Sequence, residues 1–248
     1  MATYDIGLFK GHGKYSGGFD PGAVSTYGGH REYDIVSKIV DKALVHLKNS
    51  GISVLTGENY YKNDLLSGHT IKSKCIYSVH INAGGGRRTE FLVPFGEKFF
   101  KTENAIGSEM VKLGIPTYQI KSRDYNSERF VSRTDGISSS GKDYYKEIRT
   151  AWEKGVSLTI FEVGFIDSED INIIVKNIDK IALILAKELA KLCNKDIVVP
   201  KETKPVTKPS GGFYRVVVGS FKDKSNAEVQ VKKLKEKGFD SFIAYYDK

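Results

Sequence analysis

The chain has 248 residues, of which 40% are hydrophobic and 27% are charged. This composition is typical of a globular protein and excludes an intrinsically disordered, collagenous or disulfide-scaffold protein. The net charge of +8 indicates attraction to polyanions, which include nucleic acids, anionic lipids and the phosphate-bearing polymers of bacterial walls. The sequence holds no run of about 18 apolar residues, so we expect no membrane span.

Two further features bear on the compartment. The N-terminus, MATYDIGLFKGHG, has no basic start followed by a sustained apolar stretch, so it predicts no signal peptide. The two cysteines, Cys75 and Cys193, each lie in an apolar run, and we expect two buried free thiols rather than a disulfide.

A proline-rich segment divides the chain. Three of the six prolines lie within residues 194–212, interleaved with lysine, threonine and glycine. Proline lacks an amide donor and biases the preceding residue away from helix, so this segment is typical of an extended linker. The sequence therefore predicts a domain over residues 1–193 and a small second domain over residues 213–248. From Lys195 onward there are twelve basic and seven acidic residues, so +5 of the net charge belongs to linker and tail.

In the first domain, short apolar runs alternate with helical patterns. Runs rich in β-branched and aromatic residues predict strands at Tyr4–Lys10, Ser53–Thr56, Cys75–His80, Thr89–Val93 and Ser157–Glu162. Apolar residues at helical spacing predict helices at Glu32–Ser50, at Glu103–Leu113, and from Ser168 to Leu192 with a break near Asn177. This alternation predicts an α/β fold, a mostly parallel sheet flanked by helices.

The pattern of the tail predicts a small βαβ unit. We expect a strand at Phe213–Gly219, a helix at Ser225–Lys237 and a second strand at Asp240–Tyr246. The helix would begin with a capping box formed by Ser225 and Glu228 and would end at Gly238.

Four polar residues stand where the predicted strands meet the loops. His12 follows the first strand, and His80 and Glu162 each end one. Glu32 lies in the first turn of the following helix. Because ligands of open α/β sheets bind outside the carboxyl ends of the strands, we expect these four side chains to lie close together.

Two imidazoles and a carboxylate, with a fourth position left open, are a typical ligand set for catalytic zinc. His12, Glu32 and His80 would hold Zn²⁺, and Glu162 would act as the proton-transfer group. A single histidine at a strand end is more often structural, and no HExxH or CxxC spacing is present. His30 is a rival ligand close to Glu32, although a solvent-facing loop position fits it better.

At these same residues the chain resembles the zinc-dependent N-acetylmuramoyl-L-alanine amidases of the amidase-3 type, over about Tyr4 to Leu192. The segments that carry the resemblance are GHGKYSGGFDPGA, HREYDIVSKIV, SVHINA and FEVGFIDSED. It implies His12, Glu32 and His80 as zinc ligands and Glu162 as the catalytic glutamate. Asn82 is a candidate substrate contact, as are Arg129 and Arg133, because a basic side chain would favour the carboxylates of a peptide stem.

The tail segment FYRVVVGSFKDKSNAEVQVKKLKEKGFDSFI resembles the first half of a SPOR domain, a peptidoglycan-binding fold. This resemblance implies that the tail holds the bacterial wall. A single half suggests that two chains pair as a homodimer to complete one sheet, which would also raise avidity.

Together the resemblances imply hydrolysis of the amide between N-acetylmuramic acid and the L-alanine of the stem peptide in peptidoglycan. The absence of a signal peptide favours a phage endolysin, made in the host cytoplasm and released through holin-type pores or lysis. A bacterial autolysin is the alternative. A non-catalytic wall-binding protein is disfavoured because all four site positions are filled, and nucleic-acid binding because no recognised motif is present.

Overall fold

The computed structural model describes residues 2–60, 62–198 and 217–245. The chain forms two compact units, of which the first holds the described residues up to 198 and the second holds residues 217–245. Within these ranges, no helix combines the length and the apolar character that crossing a bilayer needs.

The first unit is built on a seven-stranded mixed sheet. Its strands, in spatial order, are β10 (Phe130–Ser132), β9 (Tyr118–Arg123), β8 (Thr89–Leu92), β11 (Ser157–Phe165), β7 (Cys75–Asn82), β2 (Ile6–Lys10) and β5 (Val54–Glu58). The four strands from β11 to β5 run parallel, whereas β8 is antiparallel to β11 and β10 is antiparallel to β9. Two small sheets flank it, formed by β1 (Ala2–Tyr4) with β6 (His69–Ile71) and by β3 (Gly13–Tyr15) with β4 (Gly18–Asp20).

Helices cover both faces of the sheet. They are α1 (Glu32–Asn49), α2 (Lys101–Leu113), α3 (Lys146–Glu153), α4 (Asp170–Lys176) and α5 (Ile178–Leu192). Because successive strand residues point to opposite faces, Leu8, Val79 and Val163 join one apolar cluster with α1, α2, α4 and α5. Phe9 and Ile160 join a second cluster with α3. The predicted α/β fold is confirmed.

The helices and strands with the clearest apolar patterns lie close to their predicted positions. The predicted break near Asn177 is confirmed, since α4 ends one residue before it and α5 begins one residue after it. The sequence did not predict β9 or α3, the first because YQIKSR carries the polar side chains of an exposed segment. In the fold, however, Lys121 of β9 is 8% exposed and is paired with Glu90.

Both cysteines are free, as expected, but they are half-buried rather than fully buried. Burial raises the pKa of Cys75 to about 12, so its thiol stays protonated at neutral pH.

The second unit contains one helix, α6 (Lys224–Glu236). Gly238 follows it with φ +82°, a left-handed conformation that suits glycine and ends the helix as predicted. The predicted capping box is wrong, because Asp223 is the N-cap residue and Ser225 lies inside the first turn. Residues 217–219 and 240–245 form no strand, which corrects these parts of the two predicted strands. The rest of the two predicted strands, residues 213–216 and 246, lies outside the described residues.

A buried carboxyl group on α2 gives the first unit a testable pH dependence. Glu103 accepts hydrogen bonds from the Tyr77 hydroxyl at 2.5 Å and from the Thr159 hydroxyl at 3.0 Å. Burial raises the pKa of Glu103 despite these bonds. Folding therefore favours the protonated form of Glu103. The stability that this form contributes is lost as pH rises from the ordinary pKa of glutamate through the raised pKa of Glu103.

We expect Glu103→Gln to remove this pH dependence. Relative to the variant, the original chain should lose about 1.4 kcal/mol of unfolding free energy for each unit by which the pKa is raised. Urea unfolding between pH 4 and pH 8 measures this difference. Glu109→Gln is the control, since Glu109 lies on the same helix and pairs with Lys112 at the surface. Parallel pH curves for Glu103→Gln and the original chain would contradict the prediction.

Candidate active site

Three adjacent parallel strands carry the main candidates. The backbone N–H of Gly11 donates to the Val79 carbonyl at 2.9 Å, and this bond holds the start of the β2 loop, with His12, against β7. On the other side of β7, Glu162 is the cross-strand partner of His80. The sequence expected His80 and Glu162 to end their strands, but β7 and β11 continue to Asn82 and Phe165, because backbone pairing extends past both residues.

His12, Glu32 and His80 form one cluster. Glu32 Oε1 lies 3.2 Å from His12 Nε2 and 3.3 Å from His80 Nδ1. One donor atom from each residue lies within 4.8 Å of the others, and this is the one such histidine, cysteine and carboxylate group among the described residues. The rival ligand His30 lies outside it.

The start of α1 holds Glu32 in place. Glu32 is the first residue of the helix, where the helix dipole favours a negative charge, and its side chain is 3% exposed. Its Oε1 accepts from the Ile81 N–H at 2.9 Å, and its Oε2 accepts from the Ala23 N–H at 3.0 Å. Two backbone donors therefore fix the carboxylate, and Oε1 faces both imidazoles.

Each of these three side chains shifts the pKa of the others. Burial alone would raise the pKa of Glu32, but hydrogen bonds from His12 and His80 lower it overall. Burial alone would lower the pKa of each histidine, whereas Glu32 raises that of His12 and Glu32, Glu162 and Glu147 raise that of His80 to about 9. The cluster thus concentrates negative charge on a buried carboxylate between two basic rings.

This donor set fits a zinc ion. Two imidazoles and one carboxylate are a known set for catalytic zinc. His12 Nδ1, on the ring side away from Glu32, lies 3.1 Å from Asp20 Oδ2, and histidine ligands commonly orient their second nitrogen toward a carboxylate.

Glu162 stands beside the cluster with a poorly solvated carboxyl group. Its Oε2 is buried and has no hydrogen-bond partner among the described residues. Burial raises the pKa of Glu162 to about 8, with Glu32 and Glu90 adding to the shift and His80 opposing it. A carboxyl group that titrates near neutral pH is suited to proton transfer.

Close packing of glycines shapes the cluster. A Cβ on Gly11 would collide with the His80 ring. Gly22 has φ +67°, and a Cβ there would lie 2.6 Å from Glu32 Oε2 and 2.8 Å from His12 Cδ2. Both positions therefore require glycine, which explains part of the glycine-rich pattern around His12.

Asn82, a predicted substrate contact, donates from Nδ2 to Glu90 Oε2 at 2.9 Å. Glu90 is the cross-strand partner of Glu162 and also pairs with Arg88 at 2.5 Å and Lys121 at 2.7 Å. Asn82 therefore lies next to the cluster within a neutralised polar network, and its contact with substrate stays a prediction.

The two predicted arginines differ in exposure. Arg129 is exposed, in the loop before β10. Arg133 is 6% exposed, and its guanidinium donates to Ser122 Oγ and to the carbonyls of Pro94, Phe95 and Glu97. These bonds brace the segment after β8, and they give the substrate role of Arg133 no support, so that role stays a prediction.

Sequence reasoning missed three polar residues around the cluster, Asp20, Glu90 and Glu147. Asp20 faces His12, and Glu147 of α3 lies 3.9 Å from His80 Nε2. Glu90 could have been found, since a carboxylate beside an apolar run in TEFLV is unusual, whereas nothing in the local pattern distinguishes Glu147 from a surface residue.

Comparison with solved structures shows which fold this is. The N-acetylmuramoyl-L-alanine amidase AmiC2 of Nostoc punctiforme matches with a TM-score of 0.51 and 13% identity, over 78% of this chain and 97% of that one. The CwlD amidase from Clostridioides difficile, solved in complex with the GerS lipoprotein, matches with a TM-score of 0.51 and 19% identity, over 78% of this chain and 99% of that one. The chain has the amidase fold.

A family model adds the tail. The model for the SPOR domain matches residues 180–245, beginning within α5 of the amidase fold and including α6. A sequence search of curated proteins finds no match.

Proposed function

We propose that this chain is a zinc-dependent peptidoglycan hydrolase that cleaves the amide between N-acetylmuramic acid and the L-alanine of the stem peptide. The observation that carries this proposal is the position of Glu162, a half-buried residue directly across from His80 in the three-residue cluster. The amidase fold supports the choice of bond.

His12, Glu32 and His80 would hold the zinc ion. When bound, zinc supplies Lewis acidity to the scissile carbonyl and lowers the pKa of a coordinated water. The backbone N–H groups of Ala23 and Ile81 hold the Glu32 carboxylate in position beside the two histidines.

Glu162 transfers the proton. It takes a proton from the attacking water and gives it to the nitrogen of the departing L-alanine, so the same carboxyl group serves as base and then as acid. The pKa of about 8 lets this group both accept and release a proton near neutral pH.

The tail would bind the wall. The SPOR match and the basic excess from Lys195 onward support attraction to a peptidoglycan layer that carries anionic polymers.

Removal of Gly212–Lys248 should weaken wall association while leaving the chemistry intact. We expect a large loss of protein pulled down with purified walls, and an unchanged turnover of a soluble muramoyl peptide. Equal pull-down of the full and shortened chains would count against a wall-binding tail.

Two finer parts of the proposal concern assembly and origin. Apolar side chains of the second unit are exposed, with Phe242 at 79% and Tyr245 at 85%, and we propose that they pair with a second copy of the tail. A sedimentation coefficient that does not change with concentration would contradict that pairing. Action as a phage endolysin rather than a bacterial autolysin stays a prediction.

A turbidity assay tests the enzyme class. We expect purified bacterial walls to clear on addition of the protein, to stop clearing after treatment with a chelator, and to clear again when zinc is restored. Binding to walls without clearing, under all three conditions, would favour a non-catalytic wall-binding protein.

A further inference from the structure

Glu147 is a buried acid that the proposed reaction does not use. It lies in the first turn of α3, on the sheet face that also carries Ser78 and His80, and it is 6% exposed. The Ser78 hydroxyl donates to Glu147 Oε2 at 3.4 Å, and His80 Nε2 lies 3.9 Å from Glu147 Oε1. A carboxyl group is costly to bury without a polar partner, and its partners here are Ser78 and His80.

The two nitrogens of His80 face different neighbours. Nδ1 faces the cluster, 3.3 Å from Glu32 Oε1, whereas Nε2 faces Ser78 Oγ at 3.2 Å. A neutral imidazole carries one N–H, so Nδ1 can offer its lone pair to a cation only if the proton is on Nε2. That proton needs an acceptor.

Ser78 can be that acceptor because of Glu147. A hydroxyl has one proton to donate, and when it goes to the Glu147 carboxylate the oxygen lone pairs of Ser78 face His80. The hydrogen bonds then run in one direction, from His80 Nε2 to Ser78 and from Ser78 to Glu147. Ser78 is fully buried, so water does not compete for these bonds.

We propose that Glu147 is a positioning residue that acts through Ser78 to fix His80 in the Nε2–H tautomer, with Nδ1 presented to the cation site formed with His12 and Glu32. This inference rests on the proposed function, because it concerns the same metal site. It assigns a role to α3, an element that the sequence did not predict.

Zinc affinity of the full-length protein tests the proposal. Glu147→Leu and Ser78→Ala should each weaken zinc binding by about 10- to 100-fold in competition with a chelating dye, the effect typical of losing a hydrogen-bond partner of a ligand. Glu147→Gln keeps an acceptor oxygen for Ser78 and should restore most of the affinity. The double variant should bind no more weakly than Ser78→Ala, because both changes break one path. Glu153→Leu is the control, on an exposed position of the same helix.

Imidazole ¹⁵N spectra provide a readout that a purely structural role would not change. Above the pKa of about 9, where the His80 ring is neutral, the metal-free original chain should show His80 as the Nε2–H tautomer, and Ser78→Ala should shift it toward Nδ1–H. Unchanged zinc affinity and tautomer in folded Ser78→Ala would overturn the proposal even if Glu147→Leu fails to fold. If the original chain itself binds no zinc, the proposed function fails instead, so the two failures are distinguishable.

Discussion

Replacement of Glu162 by glutamine is expected to lower the rate of wall hydrolysis by about 10²- to 10⁴-fold, the usual contribution of a general acid–base group. Glutamine has nearly the same shape but cannot take up the proton of the attacking water. Because Glu162 lies outside the His12, Glu32 and His80 group, zinc content should not change. Turnover of a soluble muramoyl peptide, with metal analysis of the same sample, measures both quantities.

Stability provides the control for Glu162→Gln. The pKa of Glu162 is raised from 4.5 to about 8 by burial, so the metal-free original chain should lose stability as pH rises from about 4.5 to about 8, and the variant should not share this loss. The variant should therefore unfold at a temperature no lower than the original chain at pH 9. A folded, zinc-loaded variant that keeps more than about a tenth of the activity would reject Glu162 as the proton-transfer group.

Replacement of Gly11 by alanine should disable the site without replacing a ligand or the proton-transfer group. The added Cβ collides with the His80 ring, and the ring must move because the β2 backbone is fixed between β5 and β7. We expect zinc affinity to fall by at least about tenfold and activity to fall with it, as for loss of a ligand's support. Zinc titration of the folded variant checks this result.

Ser16→Ala is the matched control for Gly11→Ala. Ser16 lies in the turn between β3 and β4, is exposed, and is near the same loop in sequence. Its replacement should leave zinc affinity unchanged. If Gly11→Ala binds zinc as tightly as the control, the packing of His80 against β2 does not matter for the metal site.

The sequence predicted the sheet core and the four central residues for a physical reason. Apolar runs such as CIYSV and SLTIF are buried on both faces, so they could only be central strands, and polar side chains beside them had to meet at one edge. His12, Glu32 and His80 do meet, with Glu162 directly across from His80.

The supporting residues could not be predicted in the same way. Glu147 and Lys121 carry charges in segments that look exposed, and only tertiary packing buries them beside His80 and Glu90. The described parts of the two tail segments differ from their predicted strands for the opposite reason. Their apolar residues satisfy strand patterns, but a strand needs backbone partners, and residues 217–219 and 240–245 pair with none of the described chain.

Identification of the bond that is cut tests the central claim most directly. Purified peptidoglycan digested by the full-length protein should yield new free amino groups on L-alanine, with no increase in reducing sugar ends. The release should disappear in Glu162→Gln. New amino groups on any other residue of the stem or cross-bridge, or new reducing ends, would show that this site hydrolyses a different bond and would contradict the assignment.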